Sequence, residues 1–374
     1  MRVLLDATAI PANRGGVGRY IDELLPALAR TGLEMVVASQ ARDAALFAAA
    51  VPSAEVVPVP HALTRRAVRL VWEQVRLPAL VRATRADVLH SPHYTMPRRC
   101  PVPTVVTLHD ATFFSDPELH TLLKRRFFRA AIRSAVRRAA ALVVPSEATG
   151  REVRRYAGGA ASSFHVAHHG VDGARFHPVD AAEKARVAAT LGLAGRDYVA
   201  FLGTLEPRKN VPALIRGWVQ AVADRADPPA LVLAGGPGWD DQVEPTLAAV
   251  PAHLTVVRPG YLPVDDLAGL LGGAVVVAYP ALGEGFGLPV LEAMACAAPV
   301  LTTRRLSLPE VGGEAVEYCD VDAPAIAAAL TGLLDDPALR SRLSTAAVAR
   351  AAGFTWDASA QVHLAAYRAA SGRD

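Results

Sequence analysis

The chain has 374 residues, 52 % hydrophobic and 20 % charged, which is enough core material for two globular domains and argues against disorder. No apolar run approaches the roughly 18 residues that cross a bilayer. MRVLLDATAI, with Asp6, is no signal peptide, and Cys100, Cys296 and Cys319 lie too far apart for a disulfide framework or zinc set, so a cytoplasmic protein with reduced thiols is expected.

In chain order, Val3–Leu5 reads as a short apolar strand and Asn13-Arg14-Gly15-Gly16-Val17-Gly18-Arg19-Tyr20 as a glycine turn. Ile21–Ala29 then reads as a helix despite Pro26. Gly15 and Gly16 offer backbone amides to a diphosphate or an acceptor, but a tight turn that needs glycine explains them equally well. Met35–Ala38, Val88–His90, Val105–Leu108 and Leu142–Val144 follow as strands with helices between. This alternation predicts α/β domains with doubly wound parallel sheets. His109, just past one of these strands, is either a structural histidine or a partner for a sugar hydroxyl.

The stretch 168–178, rich in glycine and histidine, breaks the pattern. The expected division is 1–172 as one Rossmann-like domain, 173–354 as a second, and 355–374 as a helix returning to the first domain. Tyr198–Leu202, Ala230–Ala234, Leu254–Val257, Ala274–Ala278 and Pro299–Thr302 read as strands of the second half, and Trp356–Ala369 as the last helix. The two Rossmann-like halves are expected to face a cleft, with ligands at the C-terminal ends of the strands.

Charge is unevenly spread: residues 1–178 carry 24 Lys+Arg against 14 Asp+Glu, and the remainder 15 against 22. The basic half suggests an anionic partner, a membrane surface or a phosphorylated acceptor, rather than nucleic acid, for which no motif is present. Arg126, Arg129, Arg133 and Arg137 fall at spacings of three and four, so one helix face is either a lipid-docking surface or plain solvated arginine.

The segment Glu284-Gly285-Phe286-Gly287-Leu288-Pro289-Val290-Leu291-Glu292-Ala293 is the most informative. An apolar strand precedes it, and Pro289 suits the first turn of a helix. Free N–H groups at such a helix start favour phosphate, whereas the carboxylates Glu284 and Glu292 suit sugar hydroxyls. A nucleotide-sugar meets both requirements. In Gly203-Thr204-Leu205-Glu206-Pro207-Arg208-Lys209-Asn210, adjacent cations at a strand end fit a leaving diphosphate, against the alternative of a solvated loop. Ala234-Gly235-Gly236-Pro237-Gly238 is a further glycine turn, for which a structural role suffices.

Together these segments, with His169-Gly170-Val171-Asp172, resemble glycosyltransferase family 4, whose members have the GT-B fold and retain anomeric configuration. Within it, Gly15–Tyr20, Trp72-Glu73-Gln74, His90-Ser91-Pro92 and Leu205–Asn210 are most similar to bacterial mannosyltransferases that use GDP-mannose. The resemblance implies that 1–172 binds the acceptor and 173–354 the nucleotide-sugar, that Glu284 contacts the donor sugar, Glu292 the ribose, and the amides of Gly287 and Leu288 the donor. It also implies that Lys209 binds the diphosphate and His109 the sugar near its anomeric centre. Thr204 stands where many members have Arg, and Arg208 is the candidate to supply that charge. The guanine is placed near Arg258–Leu262, which brings in Tyr261 and Leu262. Neither metal nor cofactor is expected beyond the donor. The acceptor would be a glycan, a lipid-linked sugar or a small molecule, with peripheral membrane contact through the basic half. A GT-B sugar-nucleotide epimerase and a non-catalytic nucleotide-sugar-binding subunit are the alternatives.

Overall fold

The structure, a computed structural model, describes residues 1–11, 14–193 and 195–372. The chain forms two compact units, Met1–Gly170 with Thr355–Asp374, and Val171–Phe354.

The first unit contains β1 (Arg2–Asp6), β2 (Glu34–Gln40), β3 (Glu55–Val59), β4 (Val88–Ser91), β5 (Thr104–Thr107), β6 (Ala141–Val144) and β7 (Phe164–Val166). All pair in parallel, in the order β3-β2-β1-β4-β5-β6-β7. The second contains β8 (Tyr198–Leu202), β9 (Ala230–Ala234), β10 (Val256–Gly260), β11 (Val276–Tyr279), β12 (Val300–Thr303) and β13 (Glu317–Cys319), in the parallel order β10-β9-β8-β11-β12-β13. In each sheet the first strand is central and the chain winds outward one way before crossing to the other side. The order reverses between β1 and β4, and between β8 and β11. Loops leaving neighbouring strands in opposite directions open a crevice at such points.

The central strands are runs rich in Val, Leu and Ala because helices cover both faces of a parallel sheet, and β4, β5, β6, β9 and β11 are buried throughout. The strands β3, β7 and β13, EVVPV, FHV and EYC, carry no such run and are only partly buried. Each lies at a sheet edge, where Pro58 is tolerated. Two departures from the sequence expectation touch candidate site residues. Helix Gly15–Arg30 already begins at Gly15, so Gly15-Gly16-Val17-Gly18 is its first turn rather than a turn before it. Asn13, read as part of that turn, lies outside the described residues. β10 extends through Gly260 with a register shift after Val257, so Arg258–Gly260 is strand rather than loop.

The final helix, Trp356–Ser371, packs in the first unit against helix Gly15–Arg30 and β4–β7. Gly170 admits this: a Cβ there would lie 2.2 Å from the Trp356 nitrogen. In the second unit the loops after β8 and β9 meet backbone to backbone through glycines. A Cβ on Gly235 would lie 2.2 Å from the Gly203 carbonyl oxygen, and one on Gly238 1.8 Å from that of Leu205. Gly238→Ala must therefore push the loop 203–206 outward, and is expected to lower the stability of the second unit by about 1–3 kcal/mol in urea unfolding.

Candidate active site

The loops after β8 and β11 flank the switch point of the second sheet. Pro207–Lys209 is a single 3-10 turn ended by Asn210 at φ 60°, a left-handed conformation that Asn tolerates. Asn210 Nδ2 donates to the carbonyls of Pro280 (3.2 Å) and Val321 (2.7 Å), which ties the end of one loop to the start of the other. The Leu282 N–H donates to the Arg208 carbonyl at 2.9 Å. Ser307 Oγ lies 2.8 Å from the carbonyl oxygens of both Glu284 and Phe286, and its hydroxyl donates to that pair. Gly287 sits at φ 104°, where a Cβ would also come 2.8 Å from Leu308 Cδ2, so the turn into helix Leu288–Ala295 needs glycine.

This scaffold brings Lys209, Arg208 and Glu284 into direct contact. Lys209 Nζ donates to a Glu284 carboxylate oxygen and to Tyr279 Oη, and the Tyr279 hydroxyl donates to the same Glu284 oxygen at 2.8 Å. Arg208 Nη1 donates to the other Glu284 oxygen and, at 3.1 Å, to the Gly283 carbonyl. Arg208 Nη2 donates to Glu206 at 2.9 Å. Two cations and two carboxylates thus neutralise one another, with Lys209, Glu284 and Tyr279 buried. Burial alone would raise the Glu284 carboxyl, but Arg208 and Lys209 outweigh it and hold the group at about 2. Burial lowers Lys209, with Glu284 opposing that shift. Burial and then the Glu284 charge push the Tyr279 phenol well up.

Glu292 is buried one turn into helix Leu288–Ala295, on the element that Gly287 and Leu288 begin. Tyr261, just past β10, is 60 % exposed, and its hydroxyl lies over Gly236, where a Cβ would be 2.2 Å from it. Leu262 packs on the core of the unit. Glu206 and Tyr279 were missed in the sequence. A lone tyrosine closing the apolar run before Glu284 was the only available signal for the latter, and nothing in the sequence marks Glu206 as the partner of Arg208.

His109 and the Gly15–Gly16 turn belong to the first unit. His109 Nε2 donates to the Pro92 carbonyl at 2.7 Å, and burial lowers its pKa, so the ring is neutral. Tyr20, on the helix that Gly15 and Gly16 start, meets the His109 ring edge-on at 5.1 Å. Among the described residues no group of three or more metal-ligating side chains occurs.

Residues 14–175 match the family described as Glycosyltransferase Family 4, and residues 196–336 match Glycosyl transferases group 1. A D-inositol 3-phosphate glycosyltransferase of Kineococcus radiotolerans is 30 % identical, covering 96 % of this chain and 91 % of its own. The chain belongs to glycosyltransferase family 4. An O-antigen chain mannosyltransferase B of Escherichia coli is 28 % identical over 98 % of this chain and 100 % of its own. Among solved structures, Anabaena Alr3699/HepE in complex with UDP and glucose superposes with a TM-score of 0.76 at 20 % identity, covering 98 % of both chains. The fold of this family 4 member is GT-B, and its activity is that of a glycosyltransferase.

The ion-pair cluster makes a testable demand on stability. Glu284 titrates near 2 in the fold against 4.5 ordinarily. Its stabilising contribution is therefore complete above about pH 4.5 and drains away as pH falls towards 2. Glu284→Gln leaves two cations under-compensated and should cost about 3–5 kcal/mol at neutral pH. The variant should also lose the acid-dependent part of the loss over that pH range, read by urea unfolding at stepped pH.

Proposed function

We propose that this glycosyltransferase moves a hexose, mannose from GDP-mannose, to a glycan, lipid-linked or small-molecule acceptor with retention of configuration. The observation that carries the reading is the Arg208–Lys209–Glu284 cluster at the β8/β11 switch point. An incoming diphosphate replaces Glu284 as the counter-charge of both cations. The Glu284 carboxylate is then released to accept hydrogen bonds from sugar hydroxyls. As the bond from the anomeric carbon to the diphosphate oxygen breaks, negative charge grows on the leaving group and positive charge on the sugar. Arg208 and Lys209 are already aimed at the first of these, the kind of preorganisation that contributes most to such catalysis. Arg208 takes the role that Arg at position 204 would have in other members. Glu292 holds the ribose, the Gly287 and Leu288 amides face the donor, and Tyr261 and Leu262 border the base. His109 meets the donor sugar, and the Gly15 and Gly16 amides meet the diphosphate or the acceptor. No metal or cofactor enters this reading.

Mannose is favoured by the full-length likeness to the O-antigen mannosyltransferase. The Anabaena structure, which holds UDP, makes UDP the necessary comparison. Calorimetry should show GDP binding more tightly than UDP, and NMR of the product should show the donor's anomeric configuration. Preference for UDP would overturn the guanine assignment alone, whereas an inverted product would overturn retention. Glu292→Gln should weaken GDP binding about ten- to a hundredfold, since a charged hydrogen bond contributes roughly 1.5–3 kcal/mol. Equal affinity would remove Glu292 from the ribose.

Peripheral contact with the cytoplasmic membrane surface extends the reading. No helix of the described residues is long and apolar enough to cross a membrane. Helix Leu122–Arg138 instead exposes Leu122 (52 %), Leu123 (81 %) and Phe127 (38 %) beside Lys124 and Arg126. Apolar groups rimmed by cations suit an anionic bilayer surface. Not all of the cationic face is available for this, because Arg129 and Arg133 pack over Phe114. Binding to anionic vesicles should exceed binding to neutral ones, fall with salt, and weaken in Leu123→Asp; equal partition onto both vesicles would exclude it.

A further inference from the structure

The first unit buries a set of polar groups that donor chemistry does not use. Helix Trp356–Ser371 contributes Ser359, His363 and Tyr367, helix Gly15–Arg30 contributes Tyr20, β4 contributes His90 and β5 contributes Thr107, and all are buried. Their polar atoms form one continuous line. Tyr367 Oη lies 2.9 Å from His90 Nδ1, and His90 Nε2 lies 2.9 Å from Thr107 Oγ1. Thr107 Oγ1 is 3.0 Å from Tyr20 Oη, which is 2.7 Å from His363 Nε2. His363 Nδ1 ends the line 2.7 Å from the Ser359 carbonyl oxygen.

The direction of every bond follows from its last member. A carbonyl oxygen only accepts, so His363 Nδ1 carries the proton. Burial keeps His363 neutral, at about 4, so its Nε2 is bare and Tyr20 must donate to it. With its one hydrogen used, Tyr20 accepts from Thr107. Thr107 in turn accepts from His90 Nε2, and the neutral His90 ring accepts at Nδ1 from Tyr367. Five bonds point one way, no group is used twice in the same role, and each histidine has one permitted tautomer.

Beyond Tyr20 lies His109. Its ring is boxed by Tyr20 at 5.1 Å, Tyr94 at 5.8 Å and His93 at 6.0 Å, and its Nε2 proton is held by the Pro92 carbonyl. Nδ1 makes no hydrogen bond among the described residues, which leaves a lone pair ready to accept from a hydroxyl.

We propose that Tyr20 is a positioning residue for His109: the one-way chain from Tyr367 to Ser359 pins the Tyr20 hydroxyl, and the Tyr20 ring, fixed in this way, holds His109 against the Pro92 carbonyl, which keeps it in the Nε2–H form with Nδ1 open as an acceptor. The last helix thereby acts on the reaction without touching substrate. The functional half of this rests on reading His109 as the group that meets the donor sugar.

The test uses the full chain with ¹⁵N-labelled histidine. Long-range ¹H–¹⁵N spectra should show His109 as a single Nε2–H tautomer. Tyr20→Phe keeps the ring but cuts it from the hydrogen-bonded chain, so His109 should leave the Pro92 carbonyl part of the time and show mixed tautomers. It should also lower kcat for release of GDP from GDP-mannose about tenfold, the scale of one hydrogen bond, with KM unchanged. An Nδ1–H tautomer in the native protein, a pure Nε2–H signal in Tyr20→Phe, or an unchanged kcat in that variant overturns the proposal. The spectra do not depend on the donor, so they decide alone if the native protein does not turn over GDP-mannose. Full activity in His109→Asn would instead overturn the reading of His109 itself, while the tautomer result would still judge the tie between it and Tyr20.

Discussion

The contact on which the second unit's site depends is the buried pairing of Lys209 and Arg208 with Glu284. These residues lie 75 and 76 positions apart in sequence and meet only because β8 and β11 are sheet neighbours. Two cations removed from water would be intolerable without carboxylates. The carboxylate itself needs donors, and Tyr279 supplies one that carries no charge. Strand order thus makes the cluster attainable, and mutual neutralisation makes it stable without a ligand. On the proposed reading, the donor's diphosphate exchanges for an anion the protein already provides, which limits the desolvation left for binding to overcome.

The two units share a topology but handle buried polarity differently. The second concentrates full charges on short loops. The first pairs buried charges at one place, Arg69 with Glu73 and Asp6, but keeps the groups around its last helix neutral: burial drives His90, His169 and His363 below their ordinary range, and the phenols of Tyr20 and Tyr367 above theirs. Neutral groups in a low-dielectric interior require complete hydrogen bonding rather than counter-charges. The line from Tyr367 to the Ser359 carbonyl meets that requirement, and it fastens a helix from the end of the chain to one from its beginning.

What the sequence made legible follows from what produces a local signal. Central strands announce themselves as apolar-rich runs because both faces are covered. Edge strands such as β3, with Glu55 and Pro58, do not, since half their surface meets solvent. The run Gly15-Gly16-Val17-Gly18 suggested a loop because glycine disfavours helix interiors, yet helix Gly15–Arg30 absorbs it at its first turn, where that penalty is smallest. Glu284, Lys209 and Arg208 could be singled out by residue type and by their place after strands. Their mutual contact could not, nor could the parts of Glu206 and Tyr279, because no periodicity links residues brought together by sheet order. The link from Tyr20 to His363 spans 343 positions and is equally invisible to any local pattern.

The most direct test of the central exchange is a crystal structure of the protein with GDP-mannose in a slowly reacting variant such as His109→Asn. The expected result is a diphosphate held by Lys209 Nζ and the Arg208 guanidinium, with Glu284 turned to the mannose hydroxyls and still held by Tyr279. A donor bound elsewhere, with Lys209 and Arg208 still paired to Glu284 as in the free protein, would contradict it.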